Sequence, residues 1–158
     1  MTPAARAWCM AGALCGAVVA VDQVAKRLAE RGIAVGAEVD LLGPLRLTLT
    51  HNRGVAFGLA GGSGAPLALA TLAALGFVVY LLARDPARPL LWAATGLLAG
   101  GALGNLADRL RAGQVTDFIE LPHWPAFNLA DCAITCGVVL LAFSYLREAA
   151  GAPGIDGR

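Results

Sequence analysis

Four stretches of this chain run without a charged residue for long enough to restrict its fold sharply. Residues 7–21, 65–83 and 90–107 give fifteen, nineteen and eighteen such residues, and a fourth run leads from Asp131 to Arg147. About twenty predominantly apolar residues in a helix cross the roughly 30 Å hydrocarbon core of a bilayer. The 158 residues are 58% hydrophobic, with a mean hydropathy of +0.67, against about 45–50% apolar content in soluble domains. Length and composition predict one integral membrane domain over residues 1–150, with helices at about 7–29, 65–83, 90–108 and 127–147 and a disordered tail at 151–158. A formal net charge of +1 supplies neither a basic patch nor an acidic tail, and no nucleic-acid motif is present, so no nucleic-acid partner is expected.

The first run follows Arg6 in the manner of a secretory signal peptide. Its helical pattern continues through Asp22-Gln-Val-Ala-Lys26 to about Ala29, which predicts a retained span rather than a cleaved leader. Asp22 and Lys26 stand at i, i+4 with the acid first, the better order for a helical ion pair, and they either snorkel at the interface or brace a neighbouring polar site. Gly12, Gly16 and Ala20 form one stripe of small residues, and Gly96, Gly100 and Gly104 form another; each permits close approach of a second helix.

Residues 30–64 differ in character. Gly32, Gly36, Gly43 and Pro44 break helix, whereas Leu45-Arg-Leu-Thr-Leu-Thr50 alternates apolar and polar residues with the period of a half-buried strand. Residues 39–42 offer it a partner, so a small antiparallel sheet is expected on the membrane surface, within a β region at about 38–60. The sheet leads into residues 51–59, a polar turn (Asn52, Arg53, Gly54) followed by an apolar finger, which reads either as a surface loop or as a lid over a polar site. Gly61-Gly-Ser-Gly64 then reads as a flexible link.

The polar site itself is sought in residues 104–131. Between two apolar runs this stretch places Asp108, Asp117, Asp131, Asn105, Asn128 and Arg109, although only 15% of the chain is charged. Ionisable groups at membrane depth are costly and mark function by default. Asp117 and Asp131 are separated by fourteen positions that include Pro122 and Pro125, enough for the chain to fold back and set the two carboxyls face to face. Two carboxylates in contact share a proton, leaving one as base and one as acid. Such a pair activates water against an amide carbonyl and later protonates the leaving amine, with no covalent intermediate, metal or cofactor.

Two other chemistries compete. Acids in a membrane also relay protons or ions, the alternative of a small transporter or ion-pathway subunit; a relay places acids at several depths, whereas Asp22, Asp108, Asp117 and Asp131 are expected at one face. A metal-dependent hydrolase would draw on His51, His123, Cys132 and Cys136, but no C-x-x-C pair or H-E-x-x-H helix supports it. Arg109 either snorkels to headgroups or holds substrate carbonyls. Arginine and lysine counts on the two sides of a four-span bundle leave its orientation open.

Taken together, Asp22-Gln-x-x-Lys26, Asn52-x-Gly-x-Ala-Phe57-Gly58, Gly104-Asn-x-x-Asp-Arg109, Val115-x-Asp-Phe118 and Phe127-Asn-x-Ala-Asp131 resemble the bacterial lipoprotein signal peptidases (signal peptidase II) over nearly the full length. The resemblance implies an aspartyl endopeptidase of the cell membrane that removes signal peptides from prolipoproteins, cutting before a diacylglyceryl-modified cysteine. It implies a catalytic pair at Asp117 and Asp131. Supporting or substrate-contacting positions fall on Asp22, Lys26, Asn52, Gly54, Asn105, Asp108, Arg109, Asn128 and Ala130. The implied fold is an all-α membrane protein, four transmembrane helices with a small extracytoplasmic antiparallel β-sheet between helices 1 and 2. Its termini would be cytoplasmic, its site near the outer surface, its partners lipidated prolipoproteins and membrane lipids, and its expected state a monomer.

Overall fold

The structure, a computed structural model, describes residues 1–53 and 65–151. The expected apolar finger with Gly54, the glycine link and the tail beyond residue 151 lie outside the described residues.

Four helices carry the fold: α1 (Pro3–Gly32), α2 (Ala65–Arg84), α3 (Leu91–Ala112) and α4 (Leu129–Gly151). α1 begins earlier than its apolar run suggests because Thr2 caps it, accepting the Ala5 N–H at 3.1 Å, and Pro3 occupies the first turn, where a missing N–H costs nothing. α3 runs one turn beyond Asp108 and stops at Gly113, whose φ of 70° suits glycine and whose N–H caps the Arg109 carbonyl. α1 and the Leu129–Arg147 part of α4 are each long and apolar enough to cross a membrane, and Leu69–Arg84 of α2 forms a shorter apolar helix.

α3 is the central helix, and α1, α2 and α4 all pack on it. Its glycine stripe lies directly on α1. A Cβ added at Gly96 would stand 2.9 Å from the Ala11 carbonyl oxygen, one at Gly100 2.6 Å from Val18 Cβ, and one at Gly104 2.8 Å from Asp22 Oδ2. The stripe on α1 has the opposite fate: a Cβ at Gly12 or Gly16 would meet nothing within 4 Å. Among the described residues no helix packs on the Gly12 and Gly16 stripe, because α1 presents its other face, Ala7, Ala11, Val18 and Asp22, to the bundle. Gly100→Ala is expected to destabilise the protein by about 1–3 kcal/mol through overpacking against a β-branched side chain and backbone. Gly12→Ala should instead stabilise by about 0.5–1 kcal/mol. Thermal unfolding of both variants in one detergent checks the pair, and equal midpoints would refute the packing.

The sheet is larger than expected and differently built. Strands β1 (Glu38–Leu42), β2 (Leu45–Asn52), β3 (Val115–Leu121) and β4 (Trp124–Phe127) form one antiparallel sheet in that spatial order. Half of it comes from the connection between α3 and α4, so the expectation of a sheet lying only between the first two helices is corrected. β2 pairs with β3 through Thr50↔Asp117, His51↔Thr116 and Asn52↔Val115, stitching two distant connections together. Leu49, Phe118 and Ala29 form a small core that seats the sheet on α1. α4 begins at Leu129 rather than near Phe127, because Phe127 is spent on β4 opposite Ile119.

Candidate active site

The last turns of α3, the C-terminal third of α1, the start of α4 and strand β3 meet at one end of the bundle. Asp22 is fully buried, and Lys26 is 2% exposed. A lysine so enclosed needs all three ammonium hydrogens satisfied. Its Nζ lies 2.8 Å from Asp22 Oδ2, 2.7 Å from Asp108 Oδ2 and donates to Asn105 Oδ1 at 2.9 Å. Because the ammonium only donates, Asn105 must turn its oxygen towards Lys26, and its amide N–H2 then faces Asp131 Oδ1 at 2.8 Å. A buried cation thus sets the orientation of a side chain that touches an acid.

Asn128, also fully buried, performs the matching task for the other acid. Its Nδ2 donates to Asp117 Oδ1 at 2.7 Å and to Asn105 Oδ1 at 3.1 Å. Its Oδ1 accepts the Asp131 N–H at 3.1 Å while Asp131 Oδ2 accepts the Asn128 N–H at 3.2 Å. This reciprocal arrangement is a capping box, written with aspartate in place of the usual glutamate. Asp131 therefore starts its own helix and reaches back towards β3. Asp22 adds a cap from another helix by accepting the Ala130 N–H at 2.9 Å, an anion at the positive end of α4. Ala130 must be small here, since its carbonyl and Cβ lie against the positions of Gly101 and Gly104.

Asp117 is 2% exposed on β3. Burial lifts its carboxyl above the ordinary carboxylate value and the nearby Asp131 charge lifts it further, against hydrogen bonds from Asn128 and Asn52 and the Lys26 charge, which pull it down. It is therefore suited to hold a proton when an exposed aspartate would have lost one. Arg109 and Asp108, though adjacent, serve different neighbours. Asp108 faces Lys26, whereas Arg109 borders a cavity of about 260 Å³ together with Asn105 and Asp131. Apart from Thr71, the rest of that cavity is apolar, with Leu75 and Val78 from α2, Leu98 from α3 and Ile134 from α4.

The structure thus brings Asp22, Lys26, Asn52, Asn105, Asp108, Arg109, Asp117, Asn128, Ala130 and Asp131 to one end of the bundle. Gly54 lies outside the described residues. The sequence reading passed over Gln23, whose Nε2 donates to Asp108 Oδ1 at 2.7 Å and to the Gly104 carbonyl at 3.3 Å, and whose Oε1 accepts from Arg111 at 2.6 Å. Its place between Asp22 and Lys26 was the available signal. Glu30, two turns beyond Asp22, was also missed; it accepts from Thr116, the neighbour of Asp117, at 2.8 Å. His51 is exposed on β2 and His123 in the turn between β3 and β4, and among the described residues no group of three or more His, Cys, Asp or Glu is placed to hold a metal ion.

Apolar helices on a central α3 and a small antiparallel sheet give a fold shared with solved bacterial membrane enzymes. The chain superposes on one such enzyme, solved by the in meso method at 2.3 Å resolution, with a TM-score of 0.82 at 28% identity over 94% of each chain. A second, solved at 1.9 Å resolution, gives a TM-score of 0.80 at 32% identity over 86% of this chain and 92% of the other. Residues 14–147 match the family model described as Signal peptidase (SPase) II, and the chain belongs to that family. Similar curated proteins include the lipoprotein signal peptidase of Paraburkholderia phytofirmans, 42% identical over 85% of this chain and 83% of its own length. That of Moorella thermoacetica is 40% identical over 84% of this chain and 89% of its own length.

Proposed function

We propose that Asp117 and Asp131 are the catalytic pair of this signal peptidase II, which removes signal peptides from prolipoproteins. The observation that carries the assignment is that each carboxylate is held by its own asparagine, Asn128 for Asp117 and Asn105 for Asp131, where Asp131 opens on the apolar cavity. Asp117, lifted by burial, carries the proton, and Asp131 accepts one from the attacking water. The Asp117 proton passes to the oxygen of the tetrahedral intermediate; as the C–N bond breaks, the Asp131 proton goes to the leaving amine and a hydroxyl proton of the intermediate returns to Asp117. Arg109 at the cavity wall supplies donors for substrate backbone carbonyls, and the apolar wall accommodates the acyl chains of a diacylglyceryl-modified cysteine.

In the same reading all four helices span the bacterial cell membrane, with both termini cytoplasmic and the pair near the outer surface. The sheet lies at that surface, residues 1–150 form one domain, and the enzyme acts as a monomer. Convergence of Asp22, Asp108, Asp117 and Asp131 at one end of the bundle supports a surface-accessible site over an ion path.

The test is cleavage of a diacylglyceryl-modified prolipoprotein by the purified protein across pH, with products identified by mass. The cut should fall before the lipid-bearing cysteine and survive EDTA; a cut elsewhere or complete inertness overturns the reading. Activity should fall on the alkaline side as Asp117 ionises. Asn128→Ala removes a donor that favours the ionised carboxylate, so the alkaline limb should move to higher pH while kcat drops. The sign for stability follows: the contribution of Asp117 is fully present below the ordinary carboxylate pKa and is lost as pH rises through its raised value.

A further inference from the structure

A second cavity, of about 370 Å³, lies at the opposite end of the bundle from the aspartates, between the α2–α3 connection and the end of α4. Ala7 and Ala11 of α1 pack there with Leu82 and Leu91, so this is the end at which the chain begins. The wall includes Asp85, Arg88, Leu90, Phe143, Ser144 and Arg147.

Three features of this wall call for an anion. Ser144 is 6% exposed, and among the described residues its buried hydroxyl finds no hydrogen-bond partner, although a buried polar group without one is costly. Arg147 stands one turn further along the same helix face and forms no salt bridge among the described residues. α3 opens at Leu90, which presents the positive end of a 22-residue helix to the cavity. Arg88 is fixed across the cavity, 3.1 Å from Asp85 and with its guanidinium 4.0 Å above the Tyr145 ring. Among the described lining residues one aspartate therefore opposes two arginines. A hydroxyl, two guanidinium planes and a helix N-terminus suit a group with several acceptor oxygens on a tetrahedral centre. Phe143, half exposed, adds apolar surface at the same wall.

We infer that this cavity binds a phosphate group, that of an anionic phospholipid of the leaflet opposite the active site. Ser144 and Arg147 contact the phosphate and Phe143 lies along an acyl chain. The inference rests on the membrane placement proposed above and not on the peptidase chemistry.

The experiment uses the full chain, purified in non-ionic detergent and freed of lipid, and reads the shift of its thermal midpoint during titration with phosphatidylglycerol. Diacylglycerol with the same acyl chains and inorganic phosphate form the comparison arms. A saturable rise with phosphatidylglycerol, small or absent with diacylglycerol, is expected. Arg147→Gln should weaken the apparent affinity about tenfold and Ser144→Ala several-fold, while Arg31→Gln at the other end leaves it unchanged. Competition by inorganic phosphate supports the phosphate site and identifies it as open to the free ion. Equal effects of diacylglycerol and phosphatidylglycerol, or wild-type affinity in both Ser144→Ala and Arg147→Gln, overturn the inference. Asp131→Asn should titrate like wild type, so failure of the peptidase reading and failure of this one are separately visible.

Discussion

Asp117→Asn is expected to lower kcat for prolipoprotein cleavage by roughly 10²–10⁴-fold, the usual contribution of a positioned acid or base, while the protein remains folded. The amide keeps the shape of the carboxyl, and its oxygen still accepts the hydrogen bond from Asn128 Nδ2. It has no proton of the right acidity to exchange. Asp131→Asn should abolish cleavage as well but carries a second cost. Asp131 Oδ1 accepts from Asn105 Nδ2 and Oδ2 from the Asn128 N–H, so whichever way an amide turns, its N–H2 faces a donor. About 1–3 kcal/mol of stability should accompany that clash. Single-turnover cleavage measured beside thermal unfolding separates the two contributions. Near-normal cutting by Asp117→Asn would remove Asp117 from the catalytic role.

Lys26→Met should be the most destabilising substitution in the chain. It leaves Asp22, fully buried, and Asp108 without their cation, and an uncompensated buried charge costs about 3–5 kcal/mol. For a protein of this size that lowers the midpoint by on the order of 10 °C. Asn105 would also be freed to turn its amide, so the hydrogen bond to Asp131 would no longer be set by its neighbour. The double variant Asp22→Asn, Lys26→Met should recover part of the loss, because an amide oxygen at position 22 still accepts the Ala130 N–H. Lys26→Arg should not rescue, since a planar fork cannot place three donors where one ammonium does. A midpoint for Lys26→Met within a degree or two of wild type would show that the pair snorkels rather than braces the site.

Much of this site was legible because polar side chains in an apolar sequence have few places to go. The Asp22–Lys26 spacing and the density of Asp and Asn between residues 104 and 131 announced a cluster, and the chain assembles one there. What spacing could not supply was the partner of each group, such as the three-way coordination of Lys26 or the bridging by Gln23. That strands β3 and β4 belong to the sheet is not legible in the sequence, for definite reasons. Residues 115–118 are buried on both faces, so they show no alternation. Pro125 argues against a strand, yet β4 lies at the edge of the sheet, where a missing N–H is tolerated. The two glycine stripes look alike in sequence; only the packing of α1 through Ala11, Val18 and Asp22 tells the used one from the unused one.

The pairing of β2 with β3 has a consequence for biogenesis. Thr50 and Asp117 are 67 residues apart, and α2 and α3 must be made before their strands can meet. Contacts this distant in sequence form late, after local helices. Asp131 lies later still, in the first turn of the last helix, and its position depends on Asn128 just before it and Asn105 on α3. With Asp117 and Asp131 as the proposed pair, a chain emerging from the ribosome holds no working protease until nearly all of it has been made. Other proteins passing through the same insertion machinery meet the enzyme only as a finished molecule.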